Sequence, residues 1–141
     1  MNSDDSRIGR VQEMFAAFGR GDIAWILENC TDDVVWEATT PWNPSSTITR
    51  FSGRSGVGEF FSTLSTQMSF DSFEPQEYAA NGDLVVALGR FAARANATGK
   101  SYGAEWAMMF RLRGDKLAEF KEYSDQSGGL AAFGTQTAAA R

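Results

Sequence analysis

Residues 98–125, TGKSYGAEWAMMFRLRGDKLAEFKEYSD, alternate apolar and polar side chains on both sides of one turn, Arg113-Gly114-Asp115. A period of two over such lengths marks paired strands with one buried face. In the first strand Tyr102, Ala104, Trp106, Met108, Phe110 and Leu112 share a face, and Ser101, Gly103, Glu105, Ala107, Met109 and Arg111 share the other. In the second, Ala118, Phe120, Glu122 and Ser124 oppose Glu119, Lys121, Tyr123 and Asp125. A two-residue Gly-Asp loop sets Met108 opposite Lys121. A three-residue loop, with Gly114 left-handed, sets Met108 opposite Phe120 and Trp106 opposite Glu122. A slip of one residue turns every side chain over, so burying Phe120 rather than Lys121 selects the three-residue register. Glu122 then lies on the apolar face, where it must be paired, protonated or reached by solvent.

The hairpin needs something to cover it. Ile8, Val11, Phe15 and Phe18 recur at helical spacing and stop at Gly19-Arg20-Gly21, and Asp22 caps a shorter helix carrying Ile23, Ile26 and Leu27. A strand over 34–38 puts Trp36 and Ala38 on one face. Thr39 to Arg50, with Pro41 and Pro44, reads as a loop in which Trp42 is placed to act as a lid or to fold back on the core. Gly53-Arg54-Ser55-Gly56 leads into a third helix with Val57, Phe60, Phe61 and Leu64 inward. A strand over 70–79 carries Pro75, which fits an edge or a bulge, and Asn81-Gly82 signals a hairpin into a strand over 84–94. On that strand Leu84, Val86, Leu88, Arg90 and Ala92 share one face, and Val85, Ala87, Gly89, Phe91 and Ala93 the other. The order α-α-β-α-β-β-β-β predicts an α+β fold: one cone-shaped, curved antiparallel sheet with three helices on its concave side. A single domain fits 141 residues, with a core over about 7–133 and a frayed tail over 134–141.

Composition narrows the chemistry. Thirteen Lys+Arg against 18 Asp+Glu, with no basic run, argues against a nucleic-acid partner. There is no histidine, which removes His triads and His metal ligands, and the single cysteine, Cys30, reads as a small core residue. No stretch approaches the length of a membrane span, and the polar N-terminus lacks a signal core, so the expectation is a cytoplasmic protein without cofactor or metal.

The order of elements, with AFGRGDI, TDDVVWE, FSGRSGVGEFF, TGKSY and FKEYSD, resembles the nuclear-transport-factor-2-like superfamily, and within it the SnoaL-like, polyketide cyclase-like branch. The resemblance implies a cone-shaped cavity for a small hydrophobic molecule and a homodimer through the sheet's outer face. Carried over residue by residue, the ketosteroid isomerase Asp base falls at Ala38, its Tyr at Met14 and its protonated Asp at Met108, so that mechanism is lost. The final hairpin is similar to limonene epoxide hydrolase: its water-activating Asp matches Glu122 before Tyr123, and its Arg matches Arg90. Its second Asp, its Tyr and its Asn fall at Ala92, Trp36 and Ala38.

Residue pattern and resemblance together turn Glu122 and Arg90 into the cone, as a catalytic pair or as an ion pair that merely closes it. Glu122 would move a proton, and Arg90 would orient it and steady negative charge. Trp36, Ala38, Phe61, Ala92, Tyr102, Trp106, Met108, Phe120 and Ser124 are the expected substrate-binding residues. The implied activity is cofactor-free cyclisation, isomerisation, dehydration or hydrolysis of a hydrophobic, oxygen-bearing substrate; the alternative is a non-catalytic binding or accessory module. A cavity of a few hundred Å³ with Glu122 on its wall would mark a ligand-handling protein, and a filled cone a scaffold.

Overall fold

The computed structural model describes residues 3–134. α1 (Ser3–Gly19) presents Val11, Met14 and Phe15 to the core and ends where Gly21 turns left-handed, at φ 73°. The Asp22 side chain accepts the Trp25 N–H at 3.1 Å and so starts α2 (Ile23–Glu28). β1 (Cys30–Thr39), β2 (Ile48–Ser52), α3 (Gly53–Gln67), β3 (Met68–Asn81), β4 (Leu84–Ala95), β5 (Ser101–Arg113), β6 (Lys116–Ser124) and α4 (Ser127–Phe133) follow. Two elements go beyond the sequence expectation. β2 is a five-residue edge strand inside what reads as loop, and α4 is a short helix after the last strand. Of the expected frayed tail, Gly134 ends α4 in a left-handed conformation, and 135–141 lie outside the described residues.

The six strands form one curved sheet in the order β2-β1-β6-β5-β4-β3. β3 to β6 are an antiparallel meander, and β1 joins β6 in parallel. β3 is an edge strand and also shifts register between Pro75 and Glu77, where proline cannot donate to the ladder.

The final hairpin keeps the expected faces but not the expected partners. Arg113 pairs with Lys116 across a two-residue Gly114-Asp115 turn with Gly114 at φ 65°. The register then shifts: Leu112 faces Leu117 while Arg111 faces Glu119, so Ala118 is an extra residue on β6. The bulge restores the parity of a three-residue loop but moves the pairing by two. Phe110, not Met108, lies opposite Phe120; Met108 faces Glu122, and Trp106 faces Ser124.

The core lies between α1, α3 and the sheet's inner face, where Trp36, Phe110, Leu117, Val34, Val57 and Val85 are fully buried. Cys30 is among them, as its reading as a small core residue requires. Burial pushes its thiol up to about 11, and its carbonyl accepts two hydrogen bonds from Arg54, at 3.0 and 2.8 Å.

Candidate functional site

A cavity of about 70 Å³ opens between the helices and the sheet. Met14, Phe15 and Phe18 of α1 and Phe60, Phe61 and Leu64 of α3 form one side. Trp36, Thr39, Phe70, Phe73, Phe91, Tyr102, Met108, Phe120 and Glu122 of the sheet form the other, with Met68 and Pro41 at element ends. The volume falls short of the few hundred Å³ that would mark a ligand-handling protein, although Glu122 is on the wall. Rings take the space: Phe15 and Phe73 stand 5.6 and 5.2 Å from Trp106, and Phe18 lies 5.2 Å from Phe73.

Glu122 is the only carboxylate among the lining residues. Alternation along β6 carries it inward beside Phe120, and parallel pairing with β1 brings the end of that strand alongside. The Thr39 N–H donates to Glu122 Oε1 at 3.1 Å. Burial raises the carboxyl above its ordinary value, and hydrogen bonds from Thr39 and from the Ser124 hydroxyl partly oppose the rise. Burial, and then the nearby charge of Glu122, also raise the Tyr102 phenol, whose hydroxyl lies 3.7 Å from the Met68 sulfur. Among the described residues no Lys or Arg forms an ion pair with Glu122; every recorded pair uses other acids.

Arg90 is therefore a correction. It lies on the sheet's outer face, its side chain 60% exposed, with Nε 3.4 Å from Glu74. Ala92 shares that outer row, opposite Gly103, and does not line the cavity. The outer row carries both charges of β4, Arg90 and Arg94, but its Leu84 and Leu88 are bulkier than anything on the other row except Phe91, so side-chain size points to the wrong face. The inward row is Val85, Ala87, Gly89, Phe91 and Ala93, whose small members leave room for Trp106 to lie across the strand. Removing Arg90 by Arg90→Ala is expected to shift stability by no more than about 1 kcal/mol, read by urea denaturation, since exposed ion pairs contribute little.

Of the other expected residues, Trp36, Phe61, Tyr102, Met108 and Phe120 line the cavity. Ala38 and Trp106 are buried behind it, and Ser124 touches it only through Glu122. Trp42 folds back rather than standing alone: its ring lies 6.1 Å from Phe133 of α4, while its neighbour Pro41 reaches the cavity. Thr39, Pro41, Phe70, Phe73 and Phe91 were not readable as wall residues. Phe70 and Phe73 lie where two register shifts obscure the parity of β3, and Thr39 and Pro41 sit where the strand runs into loop.

A six-stranded curved sheet wrapped on helices, with an apolar cavity and one inward carboxylate, defines a nuclear-transport-factor-2-like protein. The chain belongs to the SnoaL-like domain family, whose profile matches residues 11–120 and so ends two positions before Glu122. Solved structures agree in fold. An NTF2-like protein from Burkholderia xenovorans LB400 is 24% identical with a TM-score of 0.81, over 93% of this chain and 98% of that one. TerC, crystallised with polyporic acid, is 20% identical with a TM-score of 0.80, over 92% and 99%. A protein provisionally assigned as a polyketide cyclase, from Xanthomonas campestris pv. campestris, is 19% identical with a TM-score of 0.77, over 94% and 99%. At such identities the likeness is one of fold. No curated protein matches the sequence. Among the described residues no helix is long and apolar enough to cross a membrane.

Proposed function

We propose that the cavity handles a small hydrophobic, oxygen-bearing molecule and that Glu122 acts on it as a cofactor-free general acid and base. The observation that carries this reading is a single half-buried carboxyl on an otherwise apolar, aromatic wall. Burial holds the proton on Glu122 to higher pH than on an ordinary carboxyl, which suits a group that both donates and accepts. Cyclisation, isomerisation and dehydration all use such a group. With Arg90 on the far side of the sheet, none of them draws on a guanidinium to steady negative charge. The fold is one that binds small molecules in this family, and its neighbour TerC was crystallised with one. A ring-sized substrate needs more room than the resting cavity gives. Met14, Met68 and Met108 on the wall are unbranched and can repack around it.

The second reading, a binding module without turnover, draws on the residues this chain lacks: Met14, Ala38 and Met108 stand where ketosteroid isomerases carry their working groups. One experiment separates the two. Small-molecule extracts of the native host are incubated with wild-type protein and with Glu122→Gln, and conversion and retention are followed by mass spectrometry. For a catalyst, a compound consumed by the wild type is consumed roughly 10²-fold more slowly by the variant while still being retained. Equal turnover removes Glu122 from the chemistry, and retention without turnover by either protein supports the binding module. The reading includes a homodimer, for which the outer face offers Leu88 and Tyr123, 42% and 52% exposed.

A further inference from the structure

The loss of Arg90 from the site leaves an electrostatic mismatch. Seventeen residues line the cavity, and only two of them titrate, Glu122 from β6 and Tyr102 from β5. α1 and α3 contribute no charged group to the wall, nor do β1, β3 and β4. An ionised Glu122 thus has hydrogen bonds but no counter-charge. The rest of the wall it shares is apolar and largely aromatic. Trp36 stacks on Phe120 at 4.1 Å and meets Phe61 edge-on at 5.6 Å, and Phe60 stands 5.2 Å from Phe61. Ring faces carry negative potential and attract cations within about 6 Å. Trp36 and Phe120 cover one face of each other, but the carboxylate and any ring face left open to the cavity favour the same sign of charge, and none of the lining residues supplies it.

We propose that the cavity selects a ligand carrying a small tertiary or quaternary alkylammonium, with the positive charge beside Glu122. The proposal rests on the reading that this cavity takes a small molecule, and it narrows that molecule's class to one bearing a cation at this end. Size agrees: at about 10–15 Å³ for each water-sized group, 70 Å³ holds roughly five to seven such groups, the scale of trimethylammonium. Hydrogen-bond capacity selects among amines. A primary ammonium brings three N–H donors that all need acceptors. The wall offers few: Glu122 already accepts from the Thr39 N–H and from the Thr39 and Ser124 hydroxyls, leaving little beyond a free position on one carboxylate oxygen, with the Tyr102 hydroxyl as a weaker partner. A tertiary ammonium places one N–H on that oxygen and its methyls on the rings; a quaternary one needs no acceptor. An anion would meet the same carboxylate and ring faces with the opposite result. Charge of this sign also develops on a substrate that takes the proton from Glu122 onto its oxygen, so the same surroundings serve the acid role proposed above.

The test is titration calorimetry of the full chain with trimethylammonium, tetramethylammonium, methylammonium and the neutral tert-butanol, at several pH values, on wild type, Glu122→Gln and Glu122→Asp. The expected result is that trimethylammonium binds at least 10-fold more tightly than tert-butanol. Methylammonium should be weaker than either methylated cation, and cation affinity should rise with pH as Glu122 ionises. Glu122→Gln should erase the preference for cations, with circular dichroism showing that the variant is folded. Glu122→Asp should keep the sign of the preference. If tert-butanol binds as well as the cations, or if the preference survives Glu122→Gln, the charge assignment falls and the small-molecule reading stands. If none of the four binds the wild type, both fall.

Discussion

Gly89→Ala is expected to cost about 3 kcal/mol, lowering the midpoint of thermal unfolding by roughly 10 °C. Gly89 lies opposite Trp106 on β5 and beside Pro75 at the bulge in β3. A methyl group there would collide with the Trp106 ring and with the Glu74 carbonyl oxygen. Neither neighbour can yield cheaply. The carbonyl belongs to the β3 ladder, and Trp106 is held by Phe73, stacked at 5.2 Å and 20°, and by Phe15 at 5.6 Å. Pushing Trp106 away moves rings that line the cavity, so the damage should also appear as weaker ligand binding. Trp106→Phe in the same chain should recover part of the loss, because a smaller ring frees the space; the two changes are in contact and will not be additive. Gly9→Ala is the contrasting case. Its methyl would meet nothing within 4 Å on α1, and alanine is the better helix former, so a gain of up to about 1 kcal/mol is expected. Urea denaturation followed by circular dichroism measures all four proteins. A Gly89→Ala chain as stable as wild type would mean that Trp106 does not lie across β4 as described.

Gly89 also shows where sequence reading reached its limit. β5 was legible because its two rows differ: Tyr102, Trp106, Met108 and Phe110 against Ser101, Glu105 and Arg111. Only one of these can be buried, and the structure buries it. β4 was not. Leu84, Val86 and Leu88 look more like a core row than Ala87, Gly89 and Ala93, yet the smaller row faces in, because side-chain volume is supplied from β5, β3 and α1. That inversion removed Arg90 and Ala92 from the site. In β6 the faces were readable and the partners were not, since the bulge at Ala118 leaves parity intact while sliding the strand by two. Glu122 thus survived as an inward carboxylate although its neighbour across the sheet is Met108 rather than Trp106. β2 and α4 are too short, at five and seven residues, for periodicity to rise above their serines, threonines and glycines.

Glu122→Gln is expected to stabilise the protein at neutral and alkaline pH and to leave it unchanged in acid. Burial raises the folded-state pKa of Glu122 above the ordinary 4.5. Between those two values the native chain holds a proton that the unfolded chain has released. The stability this contributes is complete below the unfolded value and is lost as pH rises through the folded one, at about 1.4 kcal/mol per pH unit where the two states differ by a full proton. Glutamine is close in shape to the protonated acid, and its side-chain oxygen can still accept the Thr39 N–H. It carries no charge at any pH, so the variant escapes the loss. Asp33 and Asp125, whose carboxyls Arg113 and Ser127 respectively hold low, pull the other way, their contribution fading as pH falls. They are common to both proteins and cancel in the difference. Urea midpoints of wild type and Glu122→Gln should therefore coincide near pH 4 and separate steadily above it, then run parallel once Glu122 is ionised in both states. Curves that stay together through pH 8 would place the carboxyl in contact with bulk water, and the acid role proposed for it would have no physical basis. A ligand that brings a cation to Glu122 should close the gap from the wild-type side, since it stabilises the ionised form that glutamine cannot adopt.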